Sequence, residues 1–240
     1  MAVSVAPSFD PRQVPVLAHD SHLPPVPAER LQALALRSRF ATPPVWQPEV
    51  VREPRFSERP PAAAAVLVAL VQRATGLTVL LTQRTAHLPT HAGQIAFPGG
   101  KVDEEDASVQ AAALREAHEE VGLHPRHVEV IGQLPVYTTG TGFHVTPVVA
   151  LVQPPFNLAP NPGEVDAVFE VPLEFLMDPA NHRRHALEWQ GRQREWFSMP
   201  YLETLPELAT AERFIWGATA GMLRNLYRFL LADAAGGESP

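Results

Sequence analysis

The sequence predicts an α/β fold in which a mixed central sheet is held between helices. Two observations predict it. Short apolar or alternating runs recur from Ala62 onward, interrupted by one well-capped helix, and a second, strongly apolar helix closes the chain.

Residues 1–61 come first and hold many of the 26 prolines, including Pro24-Pro25, Pro43-Pro44 and Pro60-Pro61. Proline blocks regular hydrogen bonding, so this stretch reads as an extended or irregular arm packing on the core. Its one helical signal runs from Ala28 to Phe40 after Pro27, with Leu31, Leu34, Ala35 and Phe40 on one face. The main domain is expected over residues 62–232, with 233–240 as a flexible tail. Ala64–Val71 and Leu77–Arg84, split by Thr75-Gly76, read as a β-hairpin. Gln94–Phe97 is a short strand stopped by Pro98-Gly99-Gly100. A helix is expected from the N-cap Ser108 to Val121, ended by Gly122. Val128–Pro135 and Phe143–Val152 are further strands around the turn-rich Thr138–Gly142. Val165–Val171 is another, and Pro172 opens a short helix. His185–Trp189 and Glu195–Met199 flank Gln190-Gly191-Arg192 as a hairpin, and the last helix is expected over Ala211–Leu231.

Bulk properties narrow the function. With 45% hydrophobic and 19% charged residues, the chain can bury a real core. A net charge of -7 argues against a nucleic-acid partner, which needs a concentrated basic face. The chain has no cysteine, which excludes disulfides, thiolate catalysis and cysteine zinc sites and fits a cytoplasmic setting. Met1–Asp10 lacks the pattern of a secretory signal. The longest apolar run, Ala62–Val71, is about half of what a bilayer requires, so no membrane partner is expected. Residues 1–61 leave three roles open: covering a pocket, forming a homodimer contact, or shielding a sheet edge.

The chemistry is concentrated in Leu114-Arg115-Glu116-Ala117-His118-Glu119-Glu120-Val121-Gly122-Leu123. Helical spacing puts Glu116, Glu119 and Glu120 on one side. Like charges so placed each destabilise a helix by roughly 0.2–0.5 kcal/mol per pair, and the C-terminal end of the helix dipole disfavours them further. A solvated acidic face is one reading. A hard divalent cation such as Mg²⁺ is the other, since it takes oxygen ligands and brings substrate phosphates with it. Upstream, Phe97-Pro98-Gly99-Gly100-Lys101-Val102-Asp103 leads into the helix, and its two glycines let backbone approach a phosphate or metal without a Cβ in the way.

Together these segments resemble the Nudix box, G-x5-E-x7-R-E-U-x-E-E-x-G-U, with U a bulky apolar residue. The second half matches at Arg115–Leu123, with a small Ala117 at the first U. The first half departs: Asp106 stands six residues after Gly100 in place of Glu, and nine before Arg115 instead of eight. A one-residue insertion ahead of the helix accounts for both. The resemblance implies a Nudix-type α/β/α sandwich and hydrolysis of a pyrophosphate bond with Mg²⁺ or Mn²⁺. It also implies that Glu116, Glu119, Glu120 and the Gly100 carbonyl hold the metal.

A narrower likeness runs from Leu80-Leu81-Thr82-Gln83-Arg84-Thr85 through Leu88, His91 and Gly93-Gln94 to Gly100, with Asp103-Glu104-Glu105-Asp106 after it. Gly142–Val149 and Trp216–Ala220 join it. This pattern is similar to the coenzyme A pyrophosphatase branch of Nudix proteins. It implies a nucleotide-linked small molecule as substrate, with coenzyme A or its derivatives leading. Pro89 departs, standing where that branch is expected to carry a basic residue, and Arg84 and His91 are the groups that would compensate. Gly99, Gly100 and Arg115 complete the expected substrate-binding set. Arg115 has two readings: neutralising a phosphate, or pairing with a box carboxylate to orient it. Glu164 stands where many Nudix enzymes place a further acidic group, as a cation ligand or general base; the alternative is a solvated loop glutamate after Pro162-Gly163. Rival functions are hydrolysis of another nucleoside diphosphate compound, such as ADP-ribose or a dinucleoside polyphosphate, and non-catalytic nucleotide binding.

Overall fold

The computed structural model describes residues 9–55, 60–87, 93–189, 192–205 and 209–233. The chain enters with β1 (Val16–His19) and α1 (Ala33–Ala41). It then builds β2 (Ala62–Arg73), β3 (Gly76–Arg84), β4 (Ile95–Ala96), β5 (Gly99–Lys101) and α2 (Val109–Val121). Next come β6 (Val128–Gln133), β7 (Tyr137–Thr138), β8 (Phe143–Val152), β9 (Val165–Pro172) and the short α3 (Leu173–Leu176). It ends with β10 (Arg183–Trp189), β11 (Arg192–Thr204), β12 (Thr210–Trp216) and α4 (Gly217–Leu231).

Two sheets result. The larger follows the order β4-β3-β2-β8-β6, with β9 also on β3, β5 on β2 and β7 on β8. It is mixed, because β2 and β8 run parallel from Ala62↔Phe143 to Val71↔Val152 while the other pairs are antiparallel. The smaller sheet is antiparallel, in the order β1-β10-β11-β12.

Strand β2 is apolar at nearly every position because both faces of its sheet are covered. Ala65, Leu67, Ala69 and Val71 meet Ala112, Ala113, Ala117 and Val121 of α2, small residues that let this helix lie close. Ala64, Val68 and Leu70 point the other way, into a core shared with Leu223, Leu226 and Leu230 of α4 and with Phe197, Met199 and Ile215 of the smaller sheet. The result is an α/β/α sandwich with a second sheet packed beside its α4 layer. Among the described residues no helix is long and apolar enough to cross a membrane.

Three expectations need correction. Residues 210–216 are a strand, so the last helix starts at Gly217 and not near Ala211. Phe214-Ile215-Trp216 is the kind of aromatic and β-branched run that fits a sheet, and Gly217 at φ 61° marks the break. The helix expected over 28–40 is interrupted at Gln32, which is extended (φ -84°, ψ 148°) between a 3₁₀ turn at Ala28–Leu31 and α1. The break shifts the phase, so Leu36 is buried and Leu34 is 73% exposed. Finally, the strand from Val128 ends at Gln133, just after a register shift between Val130 and Gly132.

Residues 20–50 are tied to α4. The Arg30 guanidinium donates to the Leu231 carbonyl (2.7 Å) and that of Arg39 to the Phe229 carbonyl (2.6 Å), filling acceptors the helix end leaves open. Asn225 accepts from Val50 N (3.0 Å) and donates to Val50 O (2.6 Å), as a strand partner would. Arg224 is fully buried and reaches Glu49 (2.7 Å), Asp20 (2.9 Å) and His182 Nδ1 (2.9 Å).

Candidate active site

Helix α2 is held at both ends. The Ser108 hydroxyl accepts from Ala111 N at 3.1 Å. Gly122 adopts φ 72°, where an L side chain is strained, and its N–H caps the Ala117 and His118 carbonyls. A Cβ there would also lie 2.7 Å from Ala159 N, so the following loop needs this glycine to pass close. With its alanine face buried, the helix presents Glu116 and Glu120, one turn apart, toward β5.

There the two glycines have distinct uses. Gly99 N donates to the Glu120 carboxylate at 3.1 Å. A Cβ on Gly100 would lie 2.4 Å from the Glu116 carboxyl carbon, so Glu116 occupies the space the missing side chain leaves. Glu119 is more than half exposed beside them.

Arg115 organises the set. Its Nε and Nη2 donate to the two Asp106 oxygens (3.0 and 2.8 Å), Nη1 to Glu116 (3.0 Å) and Glu119 (3.1 Å), and Nη2 also to the Lys101 carbonyl (3.1 Å). These contacts use every N–H a guanidinium has, leaving no donor for a phosphate in this arrangement. The pairing reading of Arg115 is therefore the one the geometry supports. Asp106, ambiguous in the sequence, is the anchor of Arg115, and its own acidity is strengthened by the hydrogen bonds from Arg115 and then from Asp103 N.

The remaining charge is poorly balanced. Burial pushes Glu120 up to about 7, against the lowering effect of Gly99 N and Arg84, with Glu116 and Glu164 opposing its charge further. Burial raises Glu116 as well, outweighing Arg115. Arg84 stands 3.5 Å from Glu120 through Nη1, while its buried Nε has no hydrogen-bond partner among the described residues. No three acidic or histidine side chains among the described residues already form a metal cage; the carboxylates close on arginines instead. Even so, the donor set is all oxygen, and two of its carboxylates are destabilised as anions by burial. Gly100, lacking a Cβ, lets the Glu116 carboxylate lie directly against its backbone. These features fit a hard divalent cation.

Glu164 comes to the site from the loop between β8 and β9. Its carbonyl accepts from Thr85 N (2.9 Å), next to Arg84, and its carboxylate accepts from Asn161 Nδ2 (3.3 Å). Arg84, Gly99, Gly100, Arg115, Glu116, Glu119, Glu120 and Glu164 thus share one region. His91, together with Leu88 and Pro89, lies outside the described residues. Sequence reasoning missed Asn161, although Asn-Pro-Gly at 161–163 is a turn signature that flags the loop.

Sequence comparison supplies the family of this sandwich and its carboxylate-bearing helix. The NUDIX domain model matches residues 60–199. The chain is similar to the Nudix hydrolase NudL of Shigella flexneri, 45% identical over 193 residues that cover 79% of this chain and 90% of that protein. It is similar also to NudL of Enterobacter sp., 47% identical over 167 residues, 68% of this chain and 80% of that one. Among solved structures, a Nudix hydrolase of M. smegmatis, RenU, is 27% identical with a TM-score of 0.43, covering 48% of this chain and 73% of its own. A C. elegans Ap4A hydrolase is 24% identical with a TM-score of 0.40, covering 50% and 85%. The chain belongs to the Nudix family. It is a pyrophosphohydrolase.

Proposed function

We propose that this enzyme hydrolyses the pyrophosphate bond of coenzyme A or an acyl derivative, releasing 3′,5′-ADP and 4′-phosphopantetheine or its acylated form. The pyrophosphate chemistry is carried by the under-compensated pair of half-buried Glu116 and buried Glu120 against Gly99 and Gly100. The substrate reading is supported by the segments Leu80–Thr85, Gly93–Gly100, Asp103–Asp106, Gly142–Val149 and Trp216–Ala220, which resemble the coenzyme A branch. These pieces are neighbours in space. Thr82 pairs with Ala96, and Thr219 donates to the Ile95 carbonyl at 3.0 Å.

In this reading Glu116, Glu119, Glu120 and the Gly100 carbonyl would hold Mg²⁺ or Mn²⁺, which when bound would supply charge neutralisation and Lewis-acid polarisation for the diphosphate. Arg115 holds Glu116 and Glu119 in place through Asp106. Arg84 faces the substrate's negative charge beside Glu120, and Glu164 takes the proton of the attacking water. Catalysis rests on positioning and charge neutralisation with no covalent intermediate. Residues 62–232 form the hydrolase domain and residues 1–61 its arm.

The test is product analysis with coenzyme A, ADP-ribose, NADH and a diadenosine polyphosphate, each with Mg²⁺, Mn²⁺ or chelator. Metal-dependent cleavage of coenzyme A ahead of the others is the expected result. Preference for another compound keeps the pyrophosphohydrolase and retires coenzyme A. Tight nucleotide binding without turnover of any of them would make the chain a binding module.

A further inference from the structure

We propose that Asn161 is a positioning residue that fixes the Glu164 carboxylate relative to the Glu120 end of α2. This rests on the reading of Glu164 as a working group of the site.

Every polar group of Asn161 is committed. Its N–H donates to the Glu120 carbonyl at 2.8 Å, filling an acceptor that the last turn of α2 leaves open. Its carbonyl accepts from Glu164 N (3.0 Å) and Val165 N (2.9 Å), which starts β9. Its Oδ1 accepts from Gly163 N at 3.0 Å, the side-chain turn expected of Asn. Its Nδ2 donates to Glu164 Oε1 at 3.3 Å. One residue therefore touches the backbone of one site carboxylate and the side chain of another.

The choice of asparagine is informative. The turn at Gly163 needs only an oxygen, which aspartate supplies equally well. The amide nitrogen is what aspartate lacks, and among the described residues its partner is Glu164. Nothing in the loop's own folding requires that donor. Glu164 is a half-buried loop side chain, and the Asn161 donor on one of its oxygens selects where the carboxylate stands. The Glu164 backbone is already fixed, by Asn161 on one side and by Thr85 N on the other (2.9 Å). Its carboxylate is the part left for Nδ2 to hold. Because Asn161 also caps the Glu120 carbonyl, this placement is referred directly to the helix that carries Glu116, Glu119 and Glu120.

The experiment is a double-mutant cycle on the full chain, read as kcat and KM for the compound in the panel that turns over fastest. Asn161→Asp keeps the turn and removes the donor. It should lower kcat by about tenfold, the scale of one hydrogen bond, with KM within about twofold. Glu164→Gln alone should lower kcat by about a hundredfold. In that background Asn161→Asp should add less than about twofold, because the two residues act as one unit. Asn161→Ser, which keeps an oxygen for the turn, should behave as Asn161→Asp does and removes the added negative charge as an explanation. Equal losses from Asn161→Asp in both backgrounds would reduce Asn161 to a structural residue and overturn the proposal. So would full activity of Asn161→Asp and Asn161→Ser alongside a strong Glu164→Gln defect. Wild-type turnover in Glu164→Gln is a different failure: it removes Glu164 from the chemistry, and the proposal goes with it.

Discussion

Around Arg224, three arginines, Arg184, Arg224 and Arg228, serve two carboxylates, Asp20 and Glu49. Around Arg115, two arginines, Arg84 and Arg115, serve five: Asp103, Asp106, Glu116, Glu119 and Glu120. The residue types are the same and the outcomes are opposite. Burial opposes the charge of Glu49, but hydrogen bonds from Arg224 and Arg228 outweigh it and hold the carboxyl at about 2. Burial wins at Glu120 and carries it to about 7. The first cluster draws all of its positive charge from the chain and joins Asp20 and Glu49 to α4. The second is short of positive charge, which is the condition for recruiting a cation and a substrate. A surplus of buried acid is therefore a better mark of function than burial or ion pairing alone.

The largest effect expected is structural. Replacing Arg224 with Met leaves buried Asp20 and half-buried Glu49 without their central partner. Removing one member of a buried ion cluster costs about 3–5 kcal/mol. A urea titration of Arg224→Met should show that loss, while kcat of the folded fraction stays near wild type. A turnover defect larger than the folded fraction explains would mean that this cluster reaches the active site and would break the comparison.

Acid should expose the same cluster. His182 is fully buried, donates through Nε2 to the Leu176 carbonyl (2.8 Å) and receives Arg224 on Nδ1 (2.9 Å), so its ring is neutral. Burial lowers it to about 4 from an ordinary 6.5. Below pH 6.5 the unfolded chain takes up a proton that the folded chain refuses until about pH 4, so stability falls across that window. The shift corresponds to about 3 kcal/mol. Glu49 adds a second loss between its ordinary 4.5 and about 2, where the folded state resists protonation. Glu120 works the other way, gaining a proton in the folded state from about 7 downward while the unfolded chain waits until 4.5. The His182 share is therefore read as a difference: from pH 7 to 4, wild type should lose stability relative to His182→Gln, which keeps a donor and an acceptor without titrating. Equal slopes in the two proteins would remove His182 from the account.

At the active site, neutralising a carboxylate should have the reverse effect on stability. Glu120→Gln keeps the shape and an oxygen for Gly99 N while removing a buried, under-compensated charge. Turnover should drop by about a hundredfold or more, on the scale of losing one key electrostatic group. The melting temperature should hold or rise. A fall in melting temperature with turnover intact would reverse the roles assigned to the two clusters.

Much of this was legible in the sequence. The capped, carboxylate-bearing helix from Ser108 to Gly122 and the hairpin around Thr75-Gly76 both follow from local rules, and the structure has both. The misread elements are those where tertiary pairing decides. Residues 210–216 carry residues that suit a helix or a strand, and pairing with β11 settles the matter. Arg224 carries no signal in the sequence, because nothing local shows that Asp20, Glu49 and His182, distant in sequence, converge on it. Within the site, the residues of the box were legible and their partners less so. The Asp106–Arg115 pairing spans a loop whose length departs from the usual box, so spacing alone could not assign it.

That pairing gives the smallest effect. Asp106 accepts from Arg115 at 3.0 and 2.8 Å, and Arg115 in turn holds Glu116 and Glu119. Asp106→Asn keeps one acceptor and loses the charge, so Arg115 is held less firmly and leans more on the carboxylates proposed to bind metal. Partners one step removed from a metal are worth about 10–100-fold in metal affinity or activity. Because one of the two bonds survives, the lower figure is expected, as a roughly tenfold rise in the Mg²⁺ concentration for half-maximal activity. Arg224→Met should leave that concentration where it is in wild type. Contrasting responses to metal would separate a cluster that is finished by the chain from one that is finished by its ligands. A wild-type metal titration in Asp106→Asn would show that Arg115 keeps its place without Asp106.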